Sequence, residues 1–147
     1  MAFCPVCHSD YPDDWRKCPK DDVVLLDGNR VGKYSIHALI GSGGMGAVYR
    51  AENPDTQAQV AVKLLHPAAS ALDSARERFR REAAAVAGLS TRHVVSIYDF
   101  GSDDRGTLFL IMELLEGHSL RDEVAAGPVS LPRVGRIMDH ALRGLAS

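Results

Sequence analysis

Residues 40–48, Ile-Gly-Ser-Gly-Gly-Met-Gly-Ala-Val, constrain this chain more than any other segment because of what flanks them. Tyr34 to Ile40 and Ala47 to Ala51 both read as strands. A G-x-G-x-x-G turn that opened a helix would suit a dinucleotide fold. Here Ala47-Val48-Tyr49-Arg50 continues as strand, which predicts a glycine-rich flap lying over nucleotide phosphates. Side chains at the glycine positions would hold the backbone N–H groups away from an anion. Ordinary hairpins are also rich in glycine, so the loop needs company before it carries a function.

That company is Val60-Ala61-Val62-Lys63, a strand tetrapeptide that places Lys63 inward at its end. A buried ammonium needs a counter-charge. Glu82 follows nineteen positions later, in Phe79-Arg80-Arg81-Glu82. Between Asp73 and Leu89, Phe79, Ala83, Val86 and Ala87 recur at helical spacing, with Arg76, Arg78, Arg80 and Arg81 on the polar face. Taken singly, the residues read as an exposed lysine and a solvated glutamate. Loop, lysine and helix glutamate in this order instead predict an ion pair that holds Lys63 ready for phosphates.

Val94 to Phe100 and Thr107 to Glu113 are two more strands, joined by the turn 101–106. A short helix near Ser119 to Ala126 follows, then a longer one with Ser130 as N-cap and Leu131, Val134, Ile137, Met138, Ala141, Leu142 and Leu145 as its stripe. The fold class expected is α+β: a five-stranded antiparallel sheet with one helix against it and the start of a helical region. A net charge of −2 gives no reason to expect a nucleic-acid partner. No apolar run is long enough to span a bilayer and no signal peptide opens the chain, so the cytoplasm is the expected location.

These residues resemble the bacterial, eukaryotic-like serine/threonine protein kinases, over about Tyr34 to Ser147. Segments 40–49, 60–63 and 80–82 look like that family's nucleotide loop, third strand and regulatory helix. Leu108 to Gly117 looks like its fifth strand and hinge. The resemblance implies ATP and Mg2+ as cofactors and protein Ser/Thr hydroxyls as substrates. It implies Gly41, Ser42, Gly43, Gly44, Met45 and Gly46 around the phosphates, with Lys63 and Glu82 positioning them. Ile40, Val48 and Ala61 would sandwich adenine, Met112 would be the gatekeeper, and the backbones of Glu113 and Leu115 would hydrogen-bond the ring. Without the resemblance, the apolar members of this set read as sheet core.

Phosphoryl transfer also needs a base and Mg2+ ligands, supplied in kinases by H-R-D-x-x-x-x-N and D-F-G. Asp99-Phe100-Gly101 spells the second motif, but it falls between the fourth and fifth strands and is rejected as a metal site. The expectation is therefore a kinase domain, 34–147, truncated before its catalytic loop and inactive alone. The alternative is a non-catalytic interaction or regulatory module that pairs with another kinase chain.

All three cysteines lie in the first eighteen residues, as Cys4-Pro5-Val6-Cys7 and Cys18-Pro19-Lys20-Asp21. Two close pairs on facing turns suit tetrahedral Zn2+ better than a disulfide framework. The pattern resembles the zinc ribbons fused to bacterial kinases, with Asp21 at the usual fourth-cysteine position. His8 or Asp22 remains an alternative fourth ligand, and a redox C-x-x-C or inert thiols remain alternatives to metal. The division expected is a zinc ribbon over 1–26, a linker over 27–33, and the kinase domain beyond.

Overall fold

The computed structural model describes residues 1–89 and 91–147. The five expected strands are present as β5 (Tyr34–Gly43), β6 (Gly46–Glu52), β7 (Gln59–Leu65), β8 (Ile97–Ser102) and β9 (Leu108–Glu113). Four short strands precede them: β1 (Ala2–Phe3), β2 (Asp10–Tyr11), β3 (Leu26–Asp27) and β4 (Arg30–Val31). All nine form one antiparallel sheet in the order β2-β1-β3-β4-β5-β6-β7-β9-β8. The sheet is thus wider than the five strands expected. Residues 27–33, expected as a linker, carry the β3–β4 hairpin, and Val31 pairs with Tyr34 at the start of β5. Two-residue strands have no periodicity to read, which is why the sequence showed only the longer five.

Alternation along the long strands gives the sheet two faces. Ala47, Tyr49 and Ala51 of β6, Val60, Val62 and Leu64 of β7, and Phe109 and Ile111 of β9 point into one core. The cover over that face is the amino-terminal segment itself, through Ala2, Cys4, Cys18 and the run Val23 to Leu26. Each leucine buried there contributes roughly 2 kcal/mol. Arg105, in the β8–β9 turn, fastens the cover: its Nη2 donates to the carbonyls of Asp13 (3.0 Å) and Trp15. Arg16 Nη1 returns a bond to the Arg105 carbonyl (3.1 Å).

The opposite face carries Lys63 and Leu110 and receives the helices. A short helix, α1 (Pro67–Ser70), leads into α2 (Asp73–Ala87), which buries Ala83 and half-buries Phe79 and Val86. Next, α3 (Leu120–Ala125) is started by a capping box in which Ser119 and Asp122 satisfy each other's backbone N–H groups. The last helix, α4 (Leu131–Leu145), has Ser130 at its N-cap position but without a side-chain cap bond. Its contact with the loop after α2 is close at Gly144, where an added Cβ would lie 2.9 Å from the His93 carbonyl. No residue of α3 or α4 is buried, and Leu131, Val134, Met138, Leu142 and Leu145 are exposed. Among the described residues no helix is long and apolar enough to cross a membrane.

Candidate nucleotide site and metal centre

The glycine-rich segment is the tip of the β5–β6 hairpin, with Gly43 paired to Gly46 and Gly44-Met45 as the turn. Gly46 has φ +157°, and a Cβ there would lie 1.9 Å from the Leu64 carbonyl oxygen, so the adjacent strand admits only glycine. Gly41, Gly43 and Gly44 have open space where a Cβ would stand, which leaves their backbone accessible to an incoming anion. Ile40, Ser42 and Met45 are exposed around them.

A residue that sequence reasoning missed holds the tip in place. His66, just past β7, donates its backbone N–H to the Met45 carbonyl (3.1 Å) and its Nε2–H to the Gly43 carbonyl (3.1 Å). The bond leaves Nδ1 buried, with no hydrogen-bond partner among the described residues. Nothing in the local pattern around His66-Pro67 distinguishes it from an ordinary strand end.

Beneath the hairpin, Lys63 and Glu82 line the same cavity of about 210 Å³, together with Met45, Phe79, Leu110 and others. No ion pair joins them: Lys63 is half-buried, Glu82 is exposed, and neither has a charged partner among the described residues. The structure therefore brings the two sequence-selected groups to one cavity without closing the contact. Val48 lies opposite Lys63 across the β6–β7 ladder, and Ala61 lies opposite Met112 across β7–β9. Met112 is half-buried. The Glu113 backbone N–H is already committed to the Ser96 carbonyl (2.9 Å), so at most its carbonyl is left for a ligand edge. The Leu115 backbone makes no hydrogen bond among the described residues. Asp99-Phe100-Gly101 lies within β8, paired with β9, and Asp99 Oδ1 accepts the Phe100 N–H (2.8 Å).

The cysteine cluster is assembled by two turns with matching hydrogen bonds. His8 N–H donates to the Cys4 carbonyl and Asp22 N–H to the Cys18 carbonyl, both at 3.0 Å. Cys4 N–H donates to the Ser9 carbonyl (3.0 Å) and Cys18 N–H to the Val23 carbonyl (2.8 Å). His8 and Asp22 occupy the same left-handed position, φ +57° and +58°, one residue past Cys7 and Asp21 respectively. Asp21 is therefore the counterpart of Cys7, which is why Asp21 joins the cluster while Asp22 turns out to pair with Lys17.

The donor atoms of Cys4, Cys7, Cys18 and Asp21 all lie within 4.8 Å of one another. Individual separations are 3.8 Å for Cys7 Sγ to Cys18 Sγ, 3.2 Å for Cys4 Sγ to Asp21 Oδ2 and 3.3 Å for Cys18 Sγ to Asp21 Oδ2. Tetrahedral Zn2+ with bonds near 2.3 Å sets sulfur atoms about 3.8 Å apart, so the four donors fit such an ion. Val6 N–H and Cys7 N–H both point at Cys4 Sγ (3.4 and 3.5 Å), the arrangement that steadies a thiolate.

Without metal, burial pushes the Cys4 thiol up to about 12. Hydrogen bonds from the three thiols hold the Asp21 carboxyl below the usual carboxylate range. Two tyrosines that sequence reasoning did not select complete the surroundings. The Tyr11 hydroxyl lies 3.4 Å from Cys18 Sγ and 3.6 Å from Cys7 Sγ. Tyr49, fully buried on β6, has a hydroxyl without a partner among the described residues, and burial, with the charges of Cys4, Asp21 and Cys18 behind it, raises its pKa.

An antiparallel sheet, a glycine-tipped hairpin over one face, a strand lysine beneath it and a helix glutamate lining the same cavity match the layout of the kinase fold's amino-terminal lobe. The protein kinase domain profile matches residues 34–147, and the chain belongs to the protein kinase family. Among curated relatives, it is 37% identical over 127 residues to the serine/threonine-protein kinase pkn2 of Myxococcus xanthus, covering 86% of this chain and 15% of that one. It is 36% identical over 124 residues to the serine/threonine-protein kinase PrkC of Bacillus subtilis, covering 83% and 19%. The crystal structure of the Mycobacterium tuberculosis PknI kinase domain superposes with a TM-score of 0.65 at 32% identity, covering 79% of this chain and 46% of that one. The chain thus spans about a fifth or less of the length of these curated relatives.

Proposed function

We propose that this chain supplies the ATP-binding part of a serine/threonine protein kinase, transferring phosphoryl groups from Mg-ATP to protein hydroxyls once joined to a catalytic lobe. The observation that carries the reading is the convergence of Lys63 and Glu82 on one cavity beneath the open glycine hairpin. In this reading the bare backbone at Gly41, Gly43 and Gly44 meets the phosphates and His66 holds the hairpin tip against sagging. Val48 and Ala61 bracket adenine, and the Glu113 carbonyl with the Leu115 backbone reads its edge. Lys63 pairs with the α and β phosphates, and Glu82 secures it after a small inward movement of α2. Mg2+, when bound, would neutralise charge developing on the phosphate oxygens. The sequence contains no H-R-D-x-x-x-x-N motif, so the hydroxyl's proton and the metal are handled by residues outside these 147.

The reading includes Zn2+ on Cys4, Cys7, Cys18 and Asp21, as a structural ion that locks the cover onto the sheet. Its support is the fit of the four donors and the matching hydrogen bonds of the two turns.

Titrating the zinc-loaded chain with a fluorescent ATP analogue tests the nucleotide site. Saturable binding is expected, weakened about tenfold or more by Lys63→Met, the loss of one charge-assisted contact. Equal affinity of the variant, or no binding by a folded monodisperse chain, would leave an interaction module as the better reading.

A further inference from the structure

On another side of α2, three arginines meet with no acid between them. Arg16, Arg76 and Arg105 line a cavity of about 300 Å³ whose other walls are uncharged, among them Pro67, Ala71 and Thr107. They arrive from three places: the loop after β2, the first turns of α2, and the β8–β9 turn. Arg16 and Arg105 are held there by hydrogen bonds to the neutral carbonyls already described, and Arg105 Nε is buried without a partner among the described residues. None of the three takes part in an ion pair among the described residues.

Nearby carboxylates are engaged elsewhere. Asp13 pairs chiefly with the Met1 ammonium at 2.7 Å, with the more distant Arg105 charge adding a lesser pull on its carboxyl. Asp103 accepts the backbone N–H groups of Arg105 (3.0 Å) and Thr107 (2.7 Å). Asp103 and Asp104 line a different cavity, on the β3–β4 side of Arg105. Arginine cannot shed its proton to relieve the repulsion. Two guanidinium groups held by hydrogen bonds, with a third supplied by α2, around an acid-free hollow are an arrangement that recognises a phosphate.

We propose that the Arg16–Arg76–Arg105 cavity binds a phosphate monoester carried on a serine or threonine side chain. Three cations match a group of charge near −2 better than a carboxylate of −1. The uncharged walls suit the carbon stem of a modified residue. The choice of source rests on the kinase reading, since such an enzyme makes phosphoserine and phosphothreonine. Arg76 precedes Glu82 by six residues, which at 100° each places them on different faces of α2. The cavity therefore shares no residue with the Lys63 cavity, yet an anion held in it restrains the helix that carries Glu82.

Trp15 is the only tryptophan; it stacks on Tyr11 and its carbonyl accepts from Arg105, so its fluorescence reports on the site. The test titrates the zinc-loaded 147-residue chain with N-acetyl-O-phospho-L-threonine methylamide, its unphosphorylated counterpart, and inorganic phosphate. The expected result is saturable binding of the phosphorylated compound alone among the two amides, tighter than inorganic phosphate. Arg76→Gln and, separately, Arg16→Gln should each weaken it about tenfold or more. The Arg76 side chain makes no hydrogen bond among the described residues, its backbone N–H bond to the Leu72 carbonyl being untouched by the substitution, and an unchanged melting temperature would verify that its variant folds.

No saturation, an equal response to the unphosphorylated compound, or inorganic phosphate binding as tightly would each overturn the proposal. Binding abolished by Lys63→Met would assign the phosphate to the glycine hairpin and also overturn it. The ATP-analogue titration on the same samples separates the two readings. Phosphothreonine binding without nucleotide binding would overturn the kinase reading and keep the cavity; the converse would overturn the cavity alone.

Discussion

Val23 to Leu26 and the α4 stripe are both apolar, and the molecule treats them oppositely. The first run is fully enclosed: Val23, Val24, Leu25 and Leu26 are at most 2% exposed. The second is open, with Leu142 59% exposed and no residue of α4 buried. The difference lies in what each one faces. The outer face of the sheet offers Tyr49, Val62, Leu64, Phe109 and Ile111 as a ready apolar surface, and the amino-terminal segment has too small a core to stand without it. Each completes the other. For α4, the described residues offer the loop around His93 and Val94, which meets the helix near Gly144, and α3, tied to it through Glu123 and Arg133, and its apolar stripe stays exposed beside both.

The strongest attempt to break this contrast is on the cover. Cys4→Ser removes a fully buried thiol, and if the proposed zinc ion is bound there, its loss is expected to cost roughly 3–5 kcal/mol of stability. Thermal melts with and without a zinc chelator check it: the chelator should lower the melting temperature of the parent chain and leave that of the variant unchanged. A chelator without effect on the parent would separate the cover's stability from metal.

A matched pair sharpens the comparison further. Leu26→Ala is expected to cost about 2–5 kcal/mol, as for other buried leucines, and Leu142→Ala to change stability by no more than about 0.5 kcal/mol. Denaturant unfolding measures both. Comparable losses at the two positions would mean that α4 is packed in solution, for instance in a self-associated form, and dynamic light scattering would then show it.

The smallest effect concerns the tie between α3 and α4. Glu123 bonds His118 and Arg133, and these partners, His118 first, hold its carboxyl below the usual glutamate range. A depressed carboxyl stabilises the fold above its unfolded pKa, and that contribution disappears as pH falls through the folded value. Acid titration should therefore loosen this junction, seen as increased amide exchange in α3, and Glu123→Gln should remove the pH dependence. The amino-terminal cover should keep its protection over the same range until the proposed zinc ion dissociates.

Much of this was legible in the chain. Gly41 to Gly46 between two strands gave the hairpin, and alternation in Val60-Ala61-Val62-Lys63 gave a strand with Lys63 on one face and Val62 and Leu64 on the other. The spacing of Cys4, Cys7, Cys18 and Asp21 named the donors that the structure gathers. What stayed hidden depends on contacts distant in sequence. The four short strands pair through two residues each, below any readable period. Val23 to Leu26 lacks alternation because it is enclosed all round, and such a run looks alike in many settings. Arg105 read as a turn residue, and its grip on Asp13 and Trp15 spans some ninety positions. Whether Glu82 reaches Lys63 depends on where α2 settles, a property of packing rather than of either residue.

The continuity of the sheet across Val31 and Tyr34 bears on how this protein is cut for study. A fragment begun at Tyr34, where the family profile begins, would lack the β4 partner of β5 and leave a bare strand edge. It would also uncover Tyr49, Val62, Leu64, Phe109 and Ile111 in one stroke. A naked edge beside a wide greasy surface is a recipe for insoluble protein. The first thirty-three residues are therefore the fragment's solubility as much as its proposed metal site.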